Sequence, residues 1–191
     1  MISIITATIR LEGLKQVIED LKNQTFRNFE HIIVNDGQQD IREYLKEKKI
    51  PFIDLPRRLG WYGGLARDIG ILASGQDWIT FFDDDNRWYP DHLETLVSGI
   101  ESGCPLIAVD CEVRGKKNKD YKHIRRCKVA LGKIDLGQIL YKKELFWKYG
   151  FFYPRKERRI TYDWDLIKKI CKHERIYIIH KPTFVFYHKR R

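Results

Sequence analysis

Short β-branched runs and helix-spaced apolar residues alternate through the first half of this chain, and that alternation narrows the fold more than any other feature. Ser3 to Thr8 is apolar and β-branched; Leu14, Val17, Ile18 and Leu21 then follow helical spacing; His31 to Asn35 returns to a strand. The pattern predicts a helix over Ile41 to Lys48, a short strand at Pro51 to Leu55, and a helix over Gly64 to Ala73 ending at Gly75. A central strand from Trp78 to Phe82, a helix marked by Leu93, Leu96, Val97 and Ile100, and a strand from Leu106 to Val113 follow. Such a series builds an α/β domain with a mostly parallel central sheet and helices on both faces, whose ligands bind beyond the carboxyl ends of the strands.

Past residue 113 the pattern loosens. A strand near Gly137 to Tyr141, a short helix around Glu144 to Tyr149 and a helix over Asp163 to Cys171 are expected, with Tyr177 to Ile179 and Thr183 to Tyr187 as two closing strands separated by Pro182. No internal repeat or low-complexity linker is present, and 191 residues suffice for one sizeable core, so one domain over 1–191 is expected.

Three strand ends carry polar residues that should meet in one crevice: Thr6 to Arg10, Asn35 to Gly37, and Asp83, Asp84 and Asp85 after the central strand. Consecutive carboxylates at a strand tip repel one another unless a cation or hydrogen-bond donors offset them. If the strand persists, Asp83 and Asp85 share a face while Asp84 points away. An oxygen-rich pair of this kind suits Mg²⁺ or Mn²⁺, ions that commonly hold a phosphorylated ligand as well. An acidic turn is the other reading, since Asp and Asn favour turns and Pro90 follows closely.

Composition narrows the classes further. Hydrophobic residues make up 43% and charged residues 32%, and no segment approaches the roughly 18 apolar residues of a membrane span. The N-terminus lacks a basic leader, so a cytoplasmic protein with no integral membrane segment is expected. Cys104, Cys111, Cys127 and Cys171 show neither zinc-ligand spacing nor a disulfide framework and read as packed thiols. The net charge of +10 fits nucleic acid, an anionic membrane surface or an anionic small substrate. Arg114, Lys116, Lys117, Lys119, Lys122, Arg125, Arg126 and Lys128 crowd one stretch, expected to be a solvated loop.

Taken in order, these segments resemble the family 2 glycosyltransferases with the GT-A fold. The likeness rests on the turn Thr6-Ala7-Thr8-Ile9-Arg10, the segment Gln24-Thr25-Phe26-Arg27-Asn28-Phe29-Glu30 and the strand end Val34-Asn35-Asp36-Gly37. It continues through Gly60 to Arg67, an Asp-x-Asp at Asp83 and Asp85, Trp88 with Pro90, the run Tyr162-Asp163-Trp164-Asp165-Leu166, and His188. Three departures accompany it: Asn35 in place of an Asp, Tyr162 in place of a Glu, and an opening turn without Pro or Tyr.

The resemblance implies a metal-dependent, inverting transfer of a hexosyl group from a nucleoside-diphosphate sugar, a UDP-sugar by preference, to a hydroxyl of a glycan or other acceptor. It implies Asp85 and His188 as ligands of Mn²⁺ or Mg²⁺ and Asp163 as the catalytic base. Thr6, Thr8, Arg10, Asp36, Gly63, Arg67, Asp83 and Asp84 would face the donor, with residues 1–113 as the nucleotide-sugar half and 114–191 as the acceptor side. Trp88, Tyr153 and Trp164 are candidates to stack on acceptor sugars, although core packing is the default for aromatics. Asp163 read from its residues alone is equally a helix N-cap, and Gly63 with Gly64 an ordinary turn. A nucleotidyltransferase is the competing enzyme, but Thr6 to Gly13 supplies no Gly-rich phosphate loop. A basic binding module is the non-catalytic alternative, though nucleic acid is not the expected partner; peripheral membrane contact would run through the basic loop or tail.

Overall fold

The computed structural model describes residues 1–115, 121–152 and 162–188. Its first half alternates as the pattern requires: β1 (Ile2–Thr8), α1 (Leu11–Lys22), β2 (Phe29–Asn35), α2 (Gln39–Glu47), β3 (Ile53–Asp54), α3 (Gly64–Ala73) and β4 (Trp78–Phe81). There follow β5 (Arg87–Trp88), α4 (His92–Ser98), β6 (Leu106–Gly115), β7 (Lys122–Arg125), β8 (Ile139–Lys142), α5 (Glu144–Tyr149), α6 (Tyr162–Cys171) and β9 (Ile176–His188). One sheet orders its strands β3-β2-β1-β4-β8-β6-β9-β5, with β7 added alongside β6. Strands β3, β2, β1 and β4 run parallel, β8 enters antiparallel between β4 and β6, and β6 and β9 are again parallel.

Strand alternation divides the core into two layers. Ile5 of β1 with Ile79 and Phe81 of β4 pack toward Ile71 of α3, Phe146 of α5 and Ile167 and Ile170 of α6. Ile2 and Ile4 point the other way, toward Val17 and Leu21 of α1 and Leu93 and Leu96 of α4. Burying apolar side chains on both faces is worth about 25 cal/mol per Å² and fixes the strand register, because a one-residue slip would turn either layer to the wrong side. Gly13 of α1 fits where it does only because it has no side chain: a Cβ there would lie 2.0 Å from the Asp84 carbonyl oxygen. The helix is thereby seated directly on the acidic turn.

Three local expectations are corrected. The central strand ends at Phe81, and Asp83 to Asn86 close a turn in which the Asn86 amide donates to the Asp83 carbonyl at 3.2 Å. Strand alternation therefore does not set the directions of the three carboxylates. The basic stretch is not wholly a loop: β7 pairs antiparallel with β6, because buried Glu112 takes Lys122 at 2.9 Å and also binds Arg114, offsetting charge that would otherwise need water. Residues 116–120 lie outside the described residues. The two closing strands are one, β9, in which Pro182 stands opposite Asp110 between two register shifts, the kind of irregularity at which a proline is tolerated inside a strand.

Trp88 is core, stacked on Phe82 with ring centroids 3.9 Å apart, and Trp164 packs against the α6 layer. Tyr153 lies outside the described residues. All four cysteines are free thiols. Among the described residues no helix is long and apolar enough to cross a membrane.

Candidate active site

The carboxyl ends of β1, β2 and β4 open into one cleft of about 500 Å³, and Thr8, Arg10, Asp36, Gly63, Arg67, Asp83, Asp84, Asp85 and Asp163 all line it. Residues separated by up to most of the chain are brought together because parallel strands place their carboxyl ends on one edge. A cavity of about 750 Å³ lies around Trp78 and Trp147, at the opposite end of β4, where Glu144 and Glu174 are ion-paired with Lys142 and Lys148.

Each aspartate of the tip has a different environment. Asp84 is buried and turned into the β1 turn: Oδ2 accepts from Thr8 Oγ1 at 2.8 Å and from the amides of Ile9 and Arg10 at 3.2 Å, while Oδ1 accepts from Arg10 Nε at 2.9 Å. Arg10 Nη2 also binds that Oδ1. Asp83 Oδ1 accepts from Arg67 Nη2 at 2.6 Å. Asp85 places its Oδ2 3.3 Å from Arg10 Nη2, with the side chain 26% exposed. Burial alone would lower the basicity of Arg10 and Arg67; the facing carboxylates, Asp84 for Arg10 and Asp83 then Asp163 for Arg67, more than reverse it and raise both. Both guanidiniums stay charged.

Asp36 caps the neighbouring segment, its Oδ1 accepting from the Leu59 amide at 2.6 Å and its Oδ2 from Gly60 at 3.4 Å. Thr6 does not reach the cleft: its fully buried hydroxyl is paired with His31 Nε2 at 2.9 Å, and Ala7 takes its place in the lining. Asp163 sits inside the first turn of α6 rather than ahead of it, so it is not an N-cap. It keeps a solvent-facing side, yet loss of hydration where its carboxyl is buried raises that carboxyl; Arg67 opposes the shift and Asp83 adds to it.

One acid of this region went unmarked in the sequence. Asp135 precedes β8, which runs antiparallel to β4 with Leu140 opposite Thr80, and the Thr80 hydroxyl donates to the Ile139 carbonyl at 2.9 Å. The segment before β8 is thus carried up beside the acidic turn. Burial, then Asp83 and Asp163, push the Asp135 carboxyl up to about 7, against the pull of the Gly137 amide and Arg125. Arg58 and Tyr62 also line the cleft unforeseen, since nothing in their local pattern distinguishes them from loop residues.

Among the described residues no three His, Cys, Asp or Glu side chains converge as a self-sufficient cage. The oxygen-only donor set of the turn suits a hard cation that takes one or two carboxylates and completes its shell with substrate phosphates, as Mg²⁺ and Mn²⁺ do. The backbone of His188 ends β9 opposite Gly115, and Gly115 and Tyr187 line an adjoining cavity together with Asp85. The His188 side chain lies outside the described residues.

Comparison with known proteins settles the family. The family model described as Glycosyl transferase family 2 matches residues 3–164. The chain belongs to glycosyl transferase family 2. Similar curated proteins include the uncharacterized glycosyltransferase YwdF of Bacillus subtilis, 29% identical over 123 residues that cover 62% of this chain and 45% of that protein. An uncharacterized glycosyltransferase of Haemophilus influenzae is 25% identical over an alignment covering all of this chain and 70% of that protein. This family 2 chain spans 45% of the Bacillus relative and 14% of one from Rickettsia bellii, so it corresponds to part of their length. The crystal structure of S. aureus TarS in complex with UDP-GlcNAc superposes with a TM-score of 0.75 at 16% identity, covering 100% of this chain and 59% of that one. The fold is the GT-A fold.

Proposed function

We propose that this chain is a metal-dependent, inverting glycosyltransferase that moves a hexosyl group from a nucleoside-diphosphate sugar to an acceptor hydroxyl in glycan or polysaccharide assembly. The observation that carries the reading is the meeting in one cleft of a paired acidic turn, three guanidiniums and a separate carboxylate, Asp163, from the other half of the chain. Uridine diphosphate is the favoured carrier, supported by the fold shared with TarS, whose structures hold UDP and UDP-GlcNAc. Residues 1–113 form the donor half and 114–191 the acceptor side.

In this reading Asp163, its proton affinity raised by burial, takes the proton of the acceptor hydroxyl. That oxygen attacks the anomeric carbon on the face opposite the diphosphate, the bond to the diphosphate oxygen breaks with its electron pair leaving on that oxygen, and the configuration inverts. Arg67, already tied to Asp83, sets a fixed positive charge beside the leaving group, and charge placed where it develops lowers the barrier. A divalent ion held by Asp85, with His188 as second ligand, would supply further neutralisation of the departing diphosphate. Thr8 and Arg10 act by fixing Asp84, which in turn holds the acidic turn against β1. Asp36 organises the segment at the nucleoside end.

The test is a panel of UDP-, GDP- and dTDP-sugars with sugar acceptors, with and without Mn²⁺. Acceptor-dependent release of nucleoside diphosphate, lost in Asp163→Asn, is expected, with inverted configuration in the product by NMR. Release of pyrophosphate instead would identify nucleotidyl transfer and overturn the reading.

A further inference from the structure

The rim of the cleft is pinned at both ends and holds one aromatic ring between the pins. At one end the Leu59 and Gly60 amides donate to Asp36; at the other Arg67 Nη1 donates to the Tyr62 carbonyl at 3.0 Å. The chain between them passes through left-handed backbone at Gly60 (φ 74°), Tyr62 (φ 52°) and Gly63 (φ 79°). Glycine adopts this conformation freely, whereas a tyrosine is strained there, and such strain persists only where surrounding contacts enforce it. Burial offsets little of that strain, since Tyr62 is 74% exposed. Among the described side chains lining the cleft its ring is the sole aromatic, and Ala7, Thr8 and Ile9 line the same cleft.

We propose that Tyr62 is the platform on which the planar base of the nucleotide donor stacks. This rests on the nucleotide-sugar reading above. The other polar side chains of the cleft are mostly charged and suit the phosphates and the reacting centre, but a base presents a flat π face that a carboxylate cannot cover. An exposed ring on a backbone held at both ends supplies that face, with the ordering cost of that backbone already met before binding. The Arg67 link makes the platform continuous with the charged floor: one guanidinium holds both the Tyr62 carbonyl and Asp83, so base and diphosphate are registered against a single side chain.

Calorimetric titration of UDP, a UDP-sugar and inorganic pyrophosphate, each with Mn²⁺, separates the outcomes. Tyr62→Ala is expected to weaken UDP by about 10-fold or more, the scale of a lost base–aromatic stack, and to leave pyrophosphate unchanged. Tyr62→Phe and Tyr62→Trp are expected to retain UDP binding, because the ring and not the hydroxyl does the work. Unchanged UDP affinity in Tyr62→Ala overturns the proposal, and so does an equal loss for pyrophosphate, which means that the rim has collapsed. A loss confined to the UDP-sugar places the ring on the sugar and overturns it too. A wild-type protein that binds pyrophosphate but no nucleoside diphosphate overturns the donor reading itself, a result distinct from all of these.

Discussion

Arg67 donates from Nη2 to Asp83 Oδ1 at 2.6 Å while its Nη1 holds the Tyr62 carbonyl at 3.0 Å, so one buried guanidinium joins the acidic turn after β4 to the rim before α3. Removing it leaves Asp83 without its cation near Asp135 and Asp163, whose carboxyls are already raised, and a buried ion pair broken on one side costs far more than a surface pair. Arg67→Ala should lower stability by about 3 kcal/mol. Chemical denaturation and a donor titration should show both the lost stability and a lost donor affinity; an unaltered midpoint would contradict the linking role.

Asp163 must be ionised to act as base, and its raised proton affinity moves the acidic limb of the rate profile above the ordinary Asp value of about 3.9. Activity should rise with pH through that limb. Asp163→Asn should cost roughly 10²- to 10⁴-fold in kcat with little change in donor affinity, the range expected for loss of a general base. A variant that keeps its rate would place the base elsewhere.

Arg10 competes for the carboxylate assigned to the metal, since its Nη2 stands 3.3 Å from Asp85 Oδ2. Taking that charge away should tighten Mn²⁺ binding by about 5-fold, which corresponds to about 1 kcal/mol of relieved repulsion. Electron paramagnetic resonance of free Mn²⁺ reads this without any turnover. The Asp84 carboxylate keeps the Thr8 hydroxyl and two backbone amides in Arg10→Ala, so the turn should survive. Weaker Mn²⁺ binding in that variant would show that Arg10 supports the ion rather than opposing it.

Asp135 gives a pH signature of its own. Its carboxyl holds a proton up to about 7 in the folded protein against an ordinary 3.8, so the folded state binds more protons than the unfolded one between those values. Stability from this group is complete below about 4 and is lost as pH rises through 7. Asp135→Asn keeps a side-chain oxygen for the Gly137 amide and cannot ionise; its melting temperature should exceed that of the wild type at pH 8 and approach it at pH 4. Parallel pH curves for the two proteins would contradict the crowded environment.

The parts of the fold that were legible in the sequence are those where a local pattern and the tertiary demand agree. The helix over Gly64 to Ala73 and the strand from Trp78 are bounded by glycines and by a run of apolar residues that both core layers need. Convergence of the strand ends followed from parallel topology, which is why Thr8, Asp36 and the three aspartates meet in one cleft. Pairings that depend on distant partners were not legible. Glu112 turns a charged stretch into a strand, a bulge lets Pro182 stay inside β9, and Asp84 faces the β1 turn because the chain turns after Phe81. Asp135 was invisible because only an antiparallel strand from the second half carries it to the acidic turn, and its own neighbours in sequence give no sign of it.

Binding of UDP to wild-type protein and to Asp85→Asn, each measured by calorimetry with and without Mn²⁺, bears on the whole assignment of the cleft. Wild-type affinity should rise at least 10-fold when Mn²⁺ is added, and the variant should show the metal-free affinity under both conditions. Identical Mn²⁺ enhancement in the two proteins would mean that Asp85 does not hold the ion.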